Sequence, residues 1–310
     1  MGLRIQTNVQ SLIAQRNLGT ATETNGQSME KLSSGFRINK ASDDAAGLAI
    51  SEKLKADVRG LNMAKRNAND GVSLVQTAEG GLNEIGNILS RLRELSVQAS
   101  SDTVGNNERG FLNKEYGALK DEIDRITNTT EFNGTRLLVG QQDDLADSLK
   151  NKANKYPLEI QVGKDYSSDV DALSVRNPTD VIRIDLQDYR MFTEGETGLN
   201  LGASDNEDGT RVDSKEKAQM SISVLDKAIN KVSDFRSYLG SIQSRLGSTI
   251  NNLSIQSENF SAANSRIRDT DFAEETAKMT QSTILKNAGI SVLSQANQSP
   301  QAALRLLGGG

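Results

Sequence analysis

The feature that most constrains this chain is an apolar residue that recurs every seven positions from Leu61 onwards. Two such sets run together, spaced like the a and d positions of a coiled-coil helix. The first set is Leu61, Ala68, Val75, Leu82 and Leu89, and the second is Ala64, Gly71, Ala78, Ile85, Leu92 and Ala99. The pattern predicts one helix from about Asp44 to about Ser100, on the order of 85 Å long at about 1.5 Å per residue.

A similar stripe in the C-terminal part of the chain predicts a second long helix from about Ser214 to Ile267. Its members are Ala218, Ile222, Leu225, Ile229, Val232, Leu239, Leu246, Ile250, Leu253, Phe260 and Ile267, with Arg236 and Gln243 as interruptions. Neither long helix can bury its stripe alone, so we expect the two to pack side by side with both chain ends pointing the same way. A shorter helix is predicted from about Asn107 to Asn128.

The middle of the chain alternates apolar and polar residues with a period of two. YPLEIQVG and DVIRIDLQDY predict two half-buried strands. The expected fold class is mainly α: long coiled-coil-like helices from both ends of the chain packed together, with a small β-rich middle segment. An acidic stretch from Asp205 lacks the glycine of a calcium loop, so we interpret it as a solvated turn. We divide the chain into residues 1–43, 44–140, 141–213, 214–268 and 269–310.

Composition excludes several classes of chemistry. The chain contains no Cys and no His, which removes thiolate nucleophiles, HExxH zinc sites and Ser-His-Asp triads. We therefore expect no enzyme and no cofactor. A net charge of -5 argues against nucleic acid as a partner. The sequence has no long apolar run and no charged-then-apolar leader, so we expect neither membrane insertion nor a cleavable secretion signal.

Both ends of the chain carry a narrow apolar stripe among many Ser, Thr, Asn and Gln residues. Each stripe is too small to hold a helix firmly, so we expect both ends to be largely disordered until a partner covers them. The candidate contact residues are Ile5, Val9, Leu12 and Ile13 at one end and Ile284, Leu285, Val292, Leu293, Leu304 and Leu307 at the other.

A glycine-punctuated segment, LSSGFRINKASDDAAGLAISEKL, joins the N-terminal stripe to the first long helix. Gly35 permits a bend, because glycine tolerates backbone angles that other residues avoid. Phe36 offers an apolar anchor, and Arg37 can reach acidic neighbours. This segment is therefore predicted to be a defined joint.

The second half of the joint is predicted to start the long helix. Ser42 is placed to cap that helix, with Asp43 and Asp44 favourable at its positive end. Gly47 and the alanines around it would let another helix approach closely.

Five stretches of the sequence resemble bacterial flagellin, in the same order along the chain. They are IQTNVQSLIAQRNL, LSSGFRINKASDDAAGLAISEKL, RNANDGVSLVQTAEGGLNEIGNILSRLRELSVQAS, EFNGTRLL and SRIRDTDFAEETAKMTQSTILKNAGISVLSQANQSPQAALRLL. The resemblance covers roughly residues 3 to 140 and 215 to 307. It implies a structural subunit of the extracellular flagellar filament, a helical propeller for swimming. The subunit would be exported unfolded through the flagellar type III apparatus.

The resemblance also implies an architecture and a set of partners. The terminal helices would form an inner tube, folding on assembly, and the long helices an outer tube, with the glycine-punctuated joint between them. Repeating one heterologous contact would bury the terminal stripes in an open helical polymer. The partners would be further copies of this chain, an export chaperone, and the cap and hook-junction proteins. Two alternatives stay open: a hook–filament junction protein and an intracellular coiled-coil scaffold.

The stretch SRLRELSVQ resembles the surface that a vertebrate Toll-like flagellin receptor reads. The matching residues are Arg91, Leu95 and, on the next helix, Glu115. Arg91 and Leu95 are four residues apart and share a helix face, so we expect Leu95 to be exposed beside the guanidinium. The alternative is that this face packs against the next subunit.

Overall fold

In the computed structural model of the chain, residues 8–140, 157–165, 179–186, 189–195, 198–203 and 209–307 are described, residues 299–307 by their backbone only. These residues form five helices and two small two-stranded sheets. The helices are α1 (Val9–Ser34), α2 (Ala45–Ala99), α3 (Asn106–Thr129), α4 (Lys215–Arg268) and α5 (Phe272–Leu307), and the strands are β1 (Glu131–Phe132), β2 (Thr135–Arg136), β3 (Leu158–Gln161) and β4 (Val181–Ile184). Each end of α2, α3 and α4 lies within one residue of its predicted position, and the mainly α fold is confirmed.

The chain forms two compact units. The terminal unit comprises residues 1–58 and 258–310, and the central unit comprises residues 59–257. The boundaries between them fall inside α2 and α4, whereas the divisions at 43 and 268 lie beside the ends of those helices. The five-segment division of the chain stays a prediction.

In the central unit, the heptad stripe of α2 forms the core as predicted. Both sets of positions are buried along their whole length, from Leu61 to Ala99. Helix α4 runs antiparallel to α2, because Arg93 pairs with Asp226 at 2.8 Å and Gly71, earlier on α2, lies against Leu246, later on α4. The ion pair is half exposed and contributes little, so the apolar seam holds the two helices together.

The apolar seam of α4 is continuous, and the predicted interruptions at Arg236 and Gln243 are wrong. Phe235 and Ile242 occupy the core one residue earlier, with 0% and 1% of their surface exposed. Both residues belong to the second set of core positions of α4. Each member of this set lies three residues, and not four, after a member of the first set, as Phe235 follows Val232. The set begins with the small residue Ser221, which a search for large apolar side chains passes over.

The two predicted strands of the middle segment are confirmed, and they form a two-stranded sheet. β3 and β4 pair antiparallel, with Leu158 opposite Ile184 and Ile160 opposite Ile182. The apolar residues of β4 join the core that α2 and α4 form. The acidic stretch from Asp205 begins outside the described residues, so its interpretation as a turn stays a prediction.

The terminal unit is helical, and the expectation that both ends are largely disordered until a partner covers them stays a prediction. Residues 9–34 and 272–307 are helical, and α1 packs along α5 in the antiparallel sense. Asn8 caps α1 by accepting from Ser11 N at 3.1 Å. The prediction of disorder rested on the small apolar stripe of each end. In the structure, hydrogen bonds between the two helices hold them together. Within the described residues, no helix has the length and hydropathy to cross a membrane.

Candidate functional site

The faces on which α1 and α5 meet are polar and built from small residues. Ser28 Oγ donates to Glu275 Oε1 at 2.6 Å, and both residues are buried. Asn25 Nδ2 donates to Ser282 Oγ at 3.0 Å. Ala14 is buried at the same contact. The pairing of the two helices therefore uses little of their apolar surface.

The apolar side chains of the two helices lie on the surface of the terminal unit. The exposed fraction is 57% for Leu12 and 62% for Ile284. Exposed with them are the predicted contact residues Val9, Ile13, Leu285 and Val292, while Leu293 is half-buried. Ile5 and the side chains of Leu304 and Leu307 lie outside the described residues. The predicted stripes are thus left open to solvent by the α1–α5 pairing.

Three further exposed apolar residues enlarge this surface and were missed from the sequence. They are Met29, Phe272 and Ile290. Phe272, Ile284 and Leu285 line one shallow groove along α5. Met29 and Phe272 each stand among polar neighbours, and Ile290 falls outside the spacing of Ile284, Ala288 and Val292, so periodicity gave no signal for these residues. Together with the predicted residues they form an apolar surface on both terminal helices.

The predicted bend at Gly35 is present. Helix α1 ends there, and the φ of 76° at Gly35 lies in the left-handed region that glycine tolerates. Its N–H donates to Lys31 O at 2.9 Å, and its carbonyl accepts from Thr270 N at 2.9 Å. The connector between α1 and α2 is therefore bonded to the connector between α4 and α5.

Phe36 and Arg37 extend this contact between the connectors. Phe36 forms a single antiparallel bridge with Asp269. Arg37 N donates to Arg268 O at 2.7 Å, and Arg37 Nη2 donates to Ile267 O at 2.7 Å. Arg37 was expected to reach acidic neighbours; instead it satisfies carbonyls at the C-terminal end of α4, where a positive charge is favourable.

Arg268 is the residue of this joint that sequence reasoning missed. Its guanidinium lies 4.6 Å from the centre of the Phe36 ring, and its Nη1 lies 2.6 Å from Glu52 Oε1 on α2. The side chain is 16% exposed. One arginine thus contacts both the aromatic anchor and the first turns of α2. No local pattern predicts these contacts, because the partners are distant in sequence.

The cap of α2 is Asp44, and the prediction that Ser42 caps this helix is wrong. Asp44 Oδ1 accepts from Gly47 N at 2.8 Å. Asp43 caps the preceding turn instead, because its carboxylate accepts from the N–H groups of Asn39 and Lys40, both at 3.0 Å. These backbone hydrogen bonds, that of Lys40 first, lower the pKa of Asp43.

Gly47 is closely approached by its own chain. A Cβ at this position would lie 2.8 Å from Ile38 Cδ1 and would also meet the Asp44 carboxylate. Ile38 is 2% exposed and anchors the joint. The small residue is therefore accounted for by a contact within the subunit.

The structure brings Arg91 and Glu115 together but buries Leu95. Arg91 Nη2 lies 2.9 Å from Glu115 Oε1, and Arg91 Nη1 lies 3.0 Å from Glu94 Oε2. Leu95 is 0% exposed, so the expectation of an exposed Leu95 is wrong. It follows Leu92 by three residues and precedes Ala99 by four, which places it on the buried stripe of α2.

Family models match most of the chain. The bacterial flagellin N-terminal helical region matches residues 5–143. The bacterial flagellin C-terminal helical region matches residues 222–307. The chain belongs to the bacterial flagellin family.

Similar flagellins span the chain from end to end. A flagellin of Halalkalibacterium halodurans is 43% identical over 303 residues, which are 98% of this chain and 99% of that one. Flagellin B of Vibrio cholerae is 35% identical over 377 aligned positions, covering 99% of this chain and 100% of that one. The crystal structure of Bacillus cereus flagellin is 31% identical and covers 64% of this chain and 94% of that one, with a TM-score of 0.45.

This flagellin is accordingly a structural subunit of the flagellar filament. The family and the relatives bear out the resemblance and favour it over a coiled-coil scaffold and over a hook–filament junction protein. Flagellins are structural proteins that polymerise with copies of themselves. The apolar surface of α1 and α5 and the joint at Gly35 are the candidate sites for that role.

Proposed function

We propose that this flagellin polymerises by burying the exposed apolar surface of α1 and α5 against neighbouring subunits. The observation that carries the proposal is the division of each helix into a polar face, used within the subunit, and an apolar face, left open. Fully burying one Leu or Ile side chain contributes about 1.5–3 kcal/mol. Several such residues per subunit are therefore enough to offset the entropy lost on association.

An open helical polymer is the arrangement that suits this surface. Contacts between α1 of one subunit and α5 of another join two different patches, and repeating such a heterologous contact generates a filament when the rotation does not close. In this proposal the terminal helices form the inner tube and the long helices form the outer tube. The joint at Gly35 connects the two.

We further propose that the α1–α5 pair becomes fully ordered only on assembly. Its interface rests on side-chain hydrogen bonds such as Ser28–Glu275, each of which contributes about 1 kcal/mol net. Such a pair can open in the monomer, as export of an unfolded chain through the type III apparatus would require. Circular dichroism before and after polymerisation tests this step, and no gain in helix on polymerisation would contradict it.

The remaining parts of the proposal concern location and partners. The filament lies outside the cell, the subunit performs no catalysis, and an export chaperone and the cap and hook-junction proteins are its other partners. A vertebrate Toll-like receptor would meet the exposed Arg91–Glu115 pair. This charged pair supports the contact, whereas Leu95 lies in the core.

The assembly surface is tested by replacing Ile284 and Leu285 together with Ser. The matched control is Asn287→Ser, an exposed polar position on the same helix. Seeded polymerisation is followed by sedimentation and electron microscopy, and the monomer is checked by circular dichroism. We expect the double variant to fold and to lose most filament mass, while the control polymerises normally. Filaments of normal length from the double variant would refute the proposal.

A further inference from the structure

Lys120 on α3 is a fully buried cation held by backbone carbonyls. Only 1% of its surface is exposed. Its Nζ donates to Leu201 O at 3.1 Å, to Ala203 O at 2.9 Å and to Thr210 O at 3.3 Å. A lysine with all three donors used in this way is rare in protein interiors, where a buried charge is normally paired with an opposite one.

The carbonyls belong to what we term the clamped segment, residues 199–203 together with residues 209–212. Thr210 N donates to Leu201 O at 2.7 Å, which joins the two parts of the segment, and Leu201 N donates to Thr193 O at 2.8 Å, which ties the segment to the preceding chain. Asp124 on α3 holds the chain around Thr193, which lies beside this segment. Its carboxylate accepts from Thr193 N at 2.8 Å and from Thr193 Oγ1 at 2.6 Å.

Among the described residues, four charged groups face Lys120, and the titratable Tyr116 lies beside it, with its ring centre 6.0 Å from Nζ. Asp124 and Asp121 lie on α3, and Glu194 and Arg211 lie on the segments packed against it. Among the described residues, the polar contacts of Nζ are the three carbonyls and none of the three carboxylates, and the carboxylate of Asp124 is engaged by Thr193. Within the part of the chain that the structure describes, the ammonium is thus stabilised by carbonyl dipoles, and desolvation works against its charged form.

We propose that Lys120 is a pH-sensitive clamp that holds the segment containing Leu201, Ala203 and Thr210 more tightly as the solution becomes alkaline. The ammonium gives its proton to solvent and leaves an amine with two N–H donors for three carbonyls. One carbonyl loses its donor, but the buried charge is removed. Removal of the proton therefore favours the state in which the segment is packed on Lys120, because a buried charge costs more free energy than a lost hydrogen bond to one carbonyl.

The sign follows from proton linkage. Burial lowers the pKa of Lys120 from 10.5 to about 8, whereas an opened segment exposes the amine to water and restores its ordinary pKa. Between those values the open state binds the extra proton, so raising the pH disfavours opening. The opening constant falls by about tenfold per pH unit, up to about 300-fold in all if opening solvates Lys120 fully. Below pH 8 the opening constant is independent of pH.

Hydrogen exchange at the amides of Leu201 and Thr210 measures this opening directly. The full-length monomer is compared at several pH values from 7 to 10.5, with each rate divided by the intrinsic rate at that pH. We expect the opening constant to fall across this range in the native chain. It should lose that dependence in Lys120→Met, which keeps the length of the side chain but cannot titrate. The control is Lys114→Met, an exposed lysine on the same helix.

An NMR titration of the lysine Cε signals provides a second measurement on the native chain. The Lys120 signal should titrate near pH 8, well below those of the exposed lysines, and this result remains decisive if Lys120→Met does not fold. Titration of Lys120 above pH 10 would overturn the proposal. So would a pH-independent opening constant in the native chain, or the same pH dependence in Lys120→Met.

Discussion

The guanidinium of Arg268 lies 4.6 Å from the centre of the Phe36 ring, where the connectors of the terminal unit meet. The same guanidinium pairs with Glu52 on α2. Gly35 and Arg37, on either side of Phe36, bond to the opposite connector through their backbones. The joint is therefore held at three consecutive residues of one connector, and Arg268 adds an ion pair from there to α2.

Replacing Arg268 with Ala should lower the free energy of unfolding by about 1–2 kcal/mol. The loss combines a cation–π contact of about 0.5–2 kcal/mol with a partly exposed ion pair of less than about 1 kcal/mol. Urea unfolding of the full-length monomer, followed by circular dichroism, measures it. Arg266→Ala removes the same charge from an exposed position two residues earlier and should change stability by less than about 0.5 kcal/mol. Equal losses in both variants would contradict the role given to Arg268.

Gly47→Ala should destabilise the subunit itself, by about 1–2 kcal/mol. The added methyl group meets Ile38 and the Asp44 carboxylate, so it disturbs both the anchor of the joint and the cap of α2. Gly80 lies on the same helix with open space around it. Gly80→Ala should therefore stabilise the subunit by up to about 1 kcal/mol, through helix propensity alone. Thermal unfolding of the dilute monomer measures the stability of both variants. If Gly47→Ala leaves the monomer stable but impairs filament formation, Gly47 instead contacts the next subunit.

The long helices could be predicted from sequence because their cores follow one period. Positions such as Val75 and Leu82 repeat every seven residues, and burial of that stripe needs no knowledge of the partner. The ends of α2 and α4 were predicted to within one residue, because turn and capping residues flank the apolar stripes. The second seam of α4 was harder, because it includes Ser221, a small polar residue at a core position.

Contacts made by polar groups between distant parts of the chain could not be predicted in this way. The bond between Ser28 and Glu275 joins residues far apart in sequence, and neither stands in an apolar pattern. The cap of α2 was assigned to Ser42 rather than Asp44, because several residues in a row suit a cap and only the backbone path selects one. Lys120 gave no signal either, since a lysine on a helix is ordinarily solvated.

Ser28→Ala should weaken the α1–α5 pair by about 1–3 kcal/mol. Removing the hydroxyl leaves the buried Glu275 carboxylate without this donor, and an unsatisfied buried acceptor costs more than the bond itself contributes. The effect should appear as faster hydrogen exchange in α1 and α5 of the monomer. Ser33→Ala, at an exposed position of α1, is the control and should leave exchange unchanged. If both variants exchange alike, the Ser28–Glu275 bond does not hold the pair.

Leu95→Ala should lower the free energy of unfolding by about 2–5 kcal/mol, the range for a leucine removed from a packed core. Val97, two residues on, is 48% exposed, and Val97→Ala should cost less than about 0.5 kcal/mol. Urea unfolding of the monomer measures both. The result bears on receptor recognition, because weak signalling by Leu95→Ala would then report damaged folding rather than a lost contact.

Arg91→Ala tests receptor recognition without damage to the core. It breaks the exposed pair with Glu115 and should leave the free energy of unfolding within about 0.5 kcal/mol. It should reduce signalling in a cell reporter assay. Unchanged signalling by a folded Arg91→Ala monomer would remove the receptor from the partners of this surface.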